Sequence, residues 1–395
     1  MHERTAGADT AVLVSLDFGV SDYAESLEEL RLLAESAGVR SVAIVEGKRQ
    51  RPDPAFYAGS GKAQEIADIV ERLEAPLVIF NHDLTPAQMR NLTTKLNTRV
   101  IDRTMLILDI FAQRAQSHEG KVQVELAQLR YLATRLVGQG IDMGQQKYAV
   151  GARGPGETKL ELDRRKLDKR VHFLKDRLDK LRRHRVVQRR ARNRAEVFSV
   201  SIVGYTNAGK STLFNRLTRA NVYVADQLFA TLDTTSRRMF IEGQDLRESD
   251  AAGSAPSSRG EIVVSDTVGF IRHLPHSLVA AFRSTLEETT QADLLLHVVD
   301  ANSPNRDDQI AEVNKVLHEI GAQHIPQILL LNKIDLQELP AAVERDEYGR
   351  ITSIRLSAKT GAGIDELRAA LAEVRNARTQ DTPAQEWHPL NNGVD

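Results

Sequence analysis

Gly204-Tyr205-Thr206-Asn207-Ala208-Gly209-Lys210-Ser211 fits the pattern G-x-x-x-x-G-K-[ST]. It follows the apolar run from Val197 to Val203 and opens into Thr212-Leu213-Phe214-Asn215-Arg216-Leu217. Strand, glycine turn and helix in that order make a cradle for phosphate, because the turn aims several N–H groups at one anion and the helix adds its positive end. Lys210 is placed to reach β- and γ-phosphates, and the Ser211 hydroxyl to ligate Mg²⁺.

Three segments downstream decide the class of nucleotide. Asp266-Thr267-Val268-Gly269 closes the apolar strand around Ile262-Val263-Val264. A carboxylate there suits Mg²⁺ through water, and the Gly269 N–H suits a γ-phosphate. Asn332-Lys333-Ile334-Asp335 follows Ile328 to Leu331, and Asp335 can accept both donors of the guanine edge. With the wrong base that buried carboxylate is left unpaired, which allows discrimination of about 10⁴. Ser357-Ala358-Lys359 follows a third strand and offers the Ala358 N–H to guanine O6. Each string alone is a common polar loop. In this order, at strand C-terminal ends, they predict a guanine-nucleotide domain.

The interval between phosphate loop and Asp266 holds Phe229-Ala230-Thr231-Leu232-Asp233-Thr234-Thr235. One threonine here is expected to close over Mg²⁺ when the γ-phosphate is present; Thr231 is the first choice, with Thr234 and Thr235 as alternatives. Phe270 follows Gly269, where a water-orienting glutamine often stands, and an apolar ring cannot orient water. Slow hydrolysis by the protein alone is therefore expected, with help from a partner or an ion. Asn207 is a candidate to hold K⁺ beside the phosphates; the alternative is a turn asparagine tolerating positive φ. The expected catalytic set is Lys210, Thr231, Gly269 and Asn207. The expected nucleotide contacts run over Gly204 to Thr212, Phe229 to Asp233, Asp266 to Gly269, Asn332 to Asp335 and Ser357 to Lys359. Ser211 and Thr231 are the expected metal ligands.

These residues need a scaffold, and 395 residues with 41% hydrophobic content predict two or three domains. Residues 1–117 read as a small parallel α/β unit, with strands near 11–16, 42–45, 77–80 and 99–101 alternating with helices near 25–37, 62–74, 86–97 and 103–116. Its Gly59-Ser60-Gly61-Lys62 imitates a phosphate loop, but no strand precedes it, so a helix start is expected. Residues 118–195 carry two heptad seams. One is Val122, Leu126, Leu129, Ala133 and Leu136; the other is Leu160, Leu167, Val171, Leu174, Leu178 and Leu181. They predict an antiparallel helical hairpin closed by a glycine-rich loop. Residues 196–378 form the nucleotide domain and 379–395 a short polar tail. The fold class is thus α/β: a P-loop GTPase domain plus a small N-terminal parallel α/β domain, joined by the hairpin.

Charge is concentrated on the second hairpin helix. From Thr158 to Arg194 there are 16 Lys/Arg against 5 Asp/Glu, a net of +11 in a chain of −1, which leaves −12 for the remainder. Lys180 to Arg194 contains no acid at all. Solvated helix faces usually mix signs, so contact with nucleic-acid phosphates is the favoured reading, ahead of a solvated face or an acidic protein or membrane surface. Aromatic residues are sparse there, which favours backbone contact over base stacking. With no cysteine, disulfides and thiol chemistry are excluded. No apolar run approaches a membrane span and none resembles a signal peptide, so a cytoplasmic, monomeric protein is expected.

The chain resembles the HflX family of ribosome-associated GTPases over nearly its whole length. The specific elements are Gly151 to Glu161 (GARGPGETKLE) with Asp163-Arg164-Arg165, Gly59 to Lys62, Asn81-His82-Asp83-Leu84-Thr85-Pro86, Val100 to Thr104, and Asp266 to Ile271. The resemblance implies binding to the large (50S) ribosomal subunit, with the N-terminal domain and hairpin directed at ribosomal RNA near the peptidyl-transferase region. It also implies ribosome-stimulated hydrolysis of GTP to GDP and GTP-dependent splitting of stalled ribosomes. Ala152 stands where the family loop generally has glycine, and Thr234 replaces a common proline. Residues 243–260 form a polar insertion, expected as a hairpin tip, and the short polar tail is expected to stand without the larger C-terminal domain of some members. Two other classes are a nucleotide-gated RNA-binding scaffold and an ATP-driven RNA remodeller, the latter opposed by Asn332 and Asp335.

Overall fold

The computed structural model describes residues 10–19, 22–136, 159–193, 197–220, 227–241, 260–272 and 283–381. The glycine-rich hairpin loop, most of the 243–260 insertion and nearly all of the tail lie outside them. The N-terminal unit alternates β1 (Thr10–Asp17), α1 (Tyr23–Ser36), β2 (Arg40–Lys48), α2 (Ser60–Leu73), β3 (Leu77–Phe80), α3 (Pro86–Leu96), β4 (Arg99–Asp102) and α4 (Arg103–Arg114). Its sheet is fully parallel in the order β2-β1-β3-β4. Central β1 is apolar and buried almost throughout, as a strand covered on both faces must be. Helix α2 starts at Ser60, so Gly59 to Lys62 is a helix start. The Thr85-Pro86 pair opens α3 with a capping box closed by Gln88.

The hairpin follows as α5 (His118–Leu136) and α6 (Lys159–Asn193). Val122 and Leu126 pack with Leu174 and Leu178, and Leu129 and Val171 extend the seam, an antiparallel register. Arg135, near the end of α5, reaches back to Asp102, with Nη2 2.7 Å from Oδ2. Asp102 is fully buried and also accepts the Met105 N–H that starts α4. Burial pushes its carboxyl pKa upward, against the pull of Arg135. One buried ion pair thus fixes the first hairpin helix to the N-terminal sheet.

The second domain comprises β5 (Phe198–Gly204), α7 (Lys210–Thr218), β6 (Thr235–Phe240), β7 (Glu261–Asp266), α8 (Arg283–Thr290), β8 (Leu294–Asp300), α9 (Arg306–Glu319), β9 (Gln327–Asn332), β10 (Ala342–Arg345), β11 (Ile351–Arg355) and α10 (Ile364–Asp381). Its seven strands run β10-β11-β9-β8-β5-β7-β6. The five inner strands pair in parallel, and the edge strands β6 and β10 pair antiparallel with their neighbours. The four expected nucleotide motifs follow β5, β7, β9 and β11, and so share one edge of the sheet. The core on one face gathers Leu213, Phe214 and Leu217 of α7 against β5, β7, β8 and β9. The core on the other face is continuous with the N-terminal domain: Leu30, Leu33 and Phe111 belong to the same apolar cluster as Tyr205, Phe229 and Phe270.

Candidate nucleotide-binding site

A cavity of about 400 Å³ opens at that sheet edge. The phosphate loop, residues 229–231, Thr267 and Gly269, and the loops after β9 and β11 all contribute to its walls. Gly209 has φ +96°, and a Cβ on it would stand 2.2 Å from Asn332 Nδ2, so this approach tolerates only glycine. Lys210 is buried, and its ammonium donates to the Tyr205 carbonyl at 2.6 Å. Burial pulls its pKa down to about 8, partly opposed by Asp266. Asn207 is exposed, with φ +60°, as the turn reading requires.

The Ser211 hydroxyl lies 2.7 Å from Thr231 Oγ1 and 2.7 Å from Asp266 Oδ2. The other Asp266 oxygen is buried with no hydrogen-bond partner. Burial raises the Asp266 pKa, opposed by the Ser211 bond and by Lys210. Two hydroxyls and a carboxylate with a free buried lone pair are hard oxygen donors, and such a set suits Mg²⁺. Ser211 and Thr231 would hold the ion directly, and Asp266 would hold its water. Thr231, rather than Thr234 or Thr235, is the threonine brought to Ser211.

At the base end, Asp335 accepts from Ser357 Oγ at 2.6 Å, which fixes its carboxylate at the cavity wall. Asn332 acts as a strut: Nδ2 donates to Ala208 O at 2.8 Å and Oδ1 accepts from Ala358 N at 2.9 Å. The Ala358 N–H is therefore engaged by Asn332 in this conformation. Lys333 pairs with Asp300 at 2.8 Å. Gln227 and Leu336 also line the cavity, and neither belongs to a recognisable motif.

Several expected contact residues turn elsewhere. Leu232, Val268 and Ile334 are buried in apolar surroundings. The Asp233 carboxylate accepts the N–H groups of Gln116 and Ser117 at 2.8 and 2.7 Å, at the start of α5. The Tyr205 hydroxyl donates to Glu29 of α1 and accepts from Arg272 N at 2.9 Å. Arg103 joins them, donating to Glu29 at 2.5 Å, to Asn81 at 2.9 Å and to the Arg272 carbonyl at 3.2 Å. Arg272 in turn reaches Asp22 at 3.0 Å and Glu25 at 2.7 Å. Phe229 stacks edge-on against Phe111, with centroids 4.7 Å apart, and Leu228 N donates to Ser36 Oγ at 2.9 Å. Both segments expected to respond to the γ-phosphate, 227–233 through Thr231 and 266–272 through Gly269, thus rest on the N-terminal domain. Residues 81 and 103, quoted from the sequence as motif members, serve this contact.

Comparison with known proteins agrees with this layout. The family model described as "GTP-binding GTPase N-terminal" matches residues 24–112, "GTP-binding GTPase Middle Region" matches 114–192, and "50S ribosome-binding GTPase" matches 199–333. The chain is 51% identical over 374 residues to GTPase HflX of Escherichia coli, covering 94% of this chain and 84% of that protein. It is 46% identical over 372 residues to GTPase HflX of Caldanaerobacter subterraneus, covering 94% and 82%. A GTP-binding protein of Sulfolobus solfataricus, solved in complex with GDP, aligns over 94% of this chain and 99% of its own at 24% identity and a TM-score of 0.48. The sequence relationships carry the assignment without help from that structural likeness: the chain is a phosphate-loop GTPase and belongs to the GTPase HflX family.

Proposed function

We propose that this protein hydrolyses GTP on the large ribosomal subunit and, in its GTP state, separates the subunits of stalled ribosomes. The observation that carries the reading is the shared placement of both switch segments, which line the nucleotide cavity and also form the contact with the N-terminal domain. Loss of a γ-phosphate at Thr231 and Gly269 would then alter how the two domains meet, and with it the fit to a partner. The match to a family model described as "50S ribosome-binding GTPase" supports the choice of partner. The basic run on α6 supports contact with ribosomal RNA phosphates, because neutralising phosphates with Lys and Arg releases counterions.

In this reading Gly204 to Thr212 bind the phosphates of GTP or GDP, Ser211 and Thr231 ligate Mg²⁺, and Asp335 selects guanine. Asn207 at the cavity rim would hold K⁺, and equal turnover in K⁺ and Na⁺ buffers would remove that role. The protein acts as a monomer in the cytoplasm. Among the described residues no helix is long and apolar enough to cross a membrane.

A second reading is favoured by Phe270, whose ring is buried and cannot orient water. It makes the chain a GTP-gated RNA-binding scaffold with incidental hydrolysis. Sedimentation of 70S ribosomes separates the readings. Splitting into subunits with GTP or a non-hydrolysable analogue, and not with GDP, supports the factor; GTP-dependent binding that leaves 70S particles whole supports the scaffold.

A further inference from the structure

The residue after Gly269 cannot serve the attacking water, which leaves the polar groups around Gly269 as the candidates. Thr206, the third residue of the phosphate loop, lines the cavity and is 7% exposed. Its hydroxyl is buried and makes no hydrogen bond. The other buried polar side chains on the cavity wall are engaged, Lys210 with the Tyr205 carbonyl, Thr267 with the Ile202 carbonyl, and Asn332 with Ala208 and Ala358, and the half-buried Thr231 is engaged with Ser211. A buried hydroxyl without a partner is unusual in folded proteins and calls for a ligand or a role.

The position of Thr206 is fixed from two sides. Its N–H donates to the Phe270 carbonyl at 2.8 Å, and the Phe270 N–H returns a bond to the Gly204 carbonyl at 3.1 Å. Its methyl lies against Gly269, where a Cβ would stand 2.8 Å from Thr206 Cγ2 and 3.0 Å from Lys210 Nζ. Thr206 is therefore in contact with the glycine expected to sense the γ-phosphate and beside the lysine expected to reach it.

Taking the cavity as the GTP site, we propose that the Thr206 hydroxyl positions the attacking water for hydrolysis. It accepts a hydrogen bond from that water and donates its own proton to a γ-phosphate oxygen, a double role that one hydroxyl can fill. In the reaction the water oxygen bonds to the γ-phosphorus. The bond from phosphorus to the β–γ bridging oxygen breaks, and its electron pair leaves with GDP. The proton lost by the water ends on the released phosphate, so Thr206 is unchanged. Orientation by one hydroxyl is a weaker device than a dedicated glutamine, which accords with slow turnover by the protein alone.

The test uses the full chain with Thr206→Val, which keeps shape and removes the hydroxyl, and Thr206→Ser, which keeps the hydroxyl. Single-turnover GTP hydrolysis without any partner is read together with the affinities for fluorescent GTP and GDP. Thr206→Val should slow hydrolysis at saturating GTP by roughly 10²-fold with the affinity for GDP, which has no γ-phosphate, within about threefold of wild type, while Thr206→Ser should stay near wild type. Wild-type hydrolysis by Thr206→Val overturns the proposal. So does a loss of GDP affinity as large as the loss of rate, which would make the hydroxyl a general binding or structural group, and so does equal damage in the serine variant. If Thr206→Val does not fold, Thr206→Ala replaces it and is read the same way. Failure of the wild-type chain to bind GTP would instead remove the assignment of the cavity.

Discussion

The hydroxyl of Tyr205, inside the phosphate loop, donates to the carboxylate of Glu29 on the first helix of the N-terminal domain. Glu29 is in turn held by Arg103, and both are almost wholly buried. A phosphate loop is usually read as a self-contained device. Here one of its side chains belongs to the joint between domains, and the bond from Arg272 N brings the segment after Gly269 into the same joint.

Tyr205→Phe removes one partner from this buried cluster and should cost about 1–3 kcal/mol, because Glu29 loses a hydrogen bond it cannot replace with water. Amide hydrogen exchange should quicken in α1 and around Arg272 while the seven-stranded sheet stays protected. Unchanged exchange in α1 would mean that the cluster does not hold the domains.

Asp335→Asn should weaken GTP and improve the relative affinity for xanthosine triphosphate. The guanine amine loses its acceptor, and the 2-oxo group of xanthine gains a donor from the new amide. Competition binding with both nucleotides reads the exchange directly; unaltered GTP affinity would place guanine recognition elsewhere.

His297 sits in β8 and is 2% exposed, with Nε2 unpaired. Burial pulls its pKa down to about 4. The unfolded chain then binds the proton more readily between about pH 6.5 and 4, so this residue adds stability above the unfolded pKa that is lost as the pH falls toward the folded one. Urea unfolding of wild type should lose about 2 kcal/mol more than His297→Gln on going from pH 7 to 5. Parallel losses in the two proteins would show that His297 is not the acid-sensitive group.

Charge reversal at Arg182, Arg183, Arg189 and Arg190 should weaken large-subunit binding and flatten its dependence on KCl. Co-sedimentation across a salt series reads both. A slope equal to wild type would reduce the basic end of α6 to a solvated face.

The sequence made the nucleotide motifs legible because each is local: a few residues at a strand end, with glycine where the backbone must turn or approach closely. Helical periodicity likewise announced the hairpin, and Val122, Leu126, Leu174 and Leu178 do meet. The joint between domains was not legible. Tyr205 and Glu29 are 176 residues apart, and a glutamate on an amphipathic helix looks like any solvated acid. Arg103 carried the available hint, since a cation between Val100-Ile101 and Leu106-Ile107-Leu108 must find a buried partner. Asp233 shows the converse limit: nearness to Thr231 in sequence suggested a nucleotide contact, whereas its carboxylate caps the first hairpin helix. Gln227 and Leu336 reach the cavity through loop geometry, which leaves no local signature.

The most direct test of a ribosome-activated GTPase is GTP turnover by the purified chain with and without large ribosomal subunits, in K⁺ buffer. Turnover should be slow alone and rise about tenfold or more with the subunit, as expected when a partner supplies missing transition-state stabilisation. Turnover that is equally slow in both, with subunits saturating, would contradict a ribosome-activated GTPase.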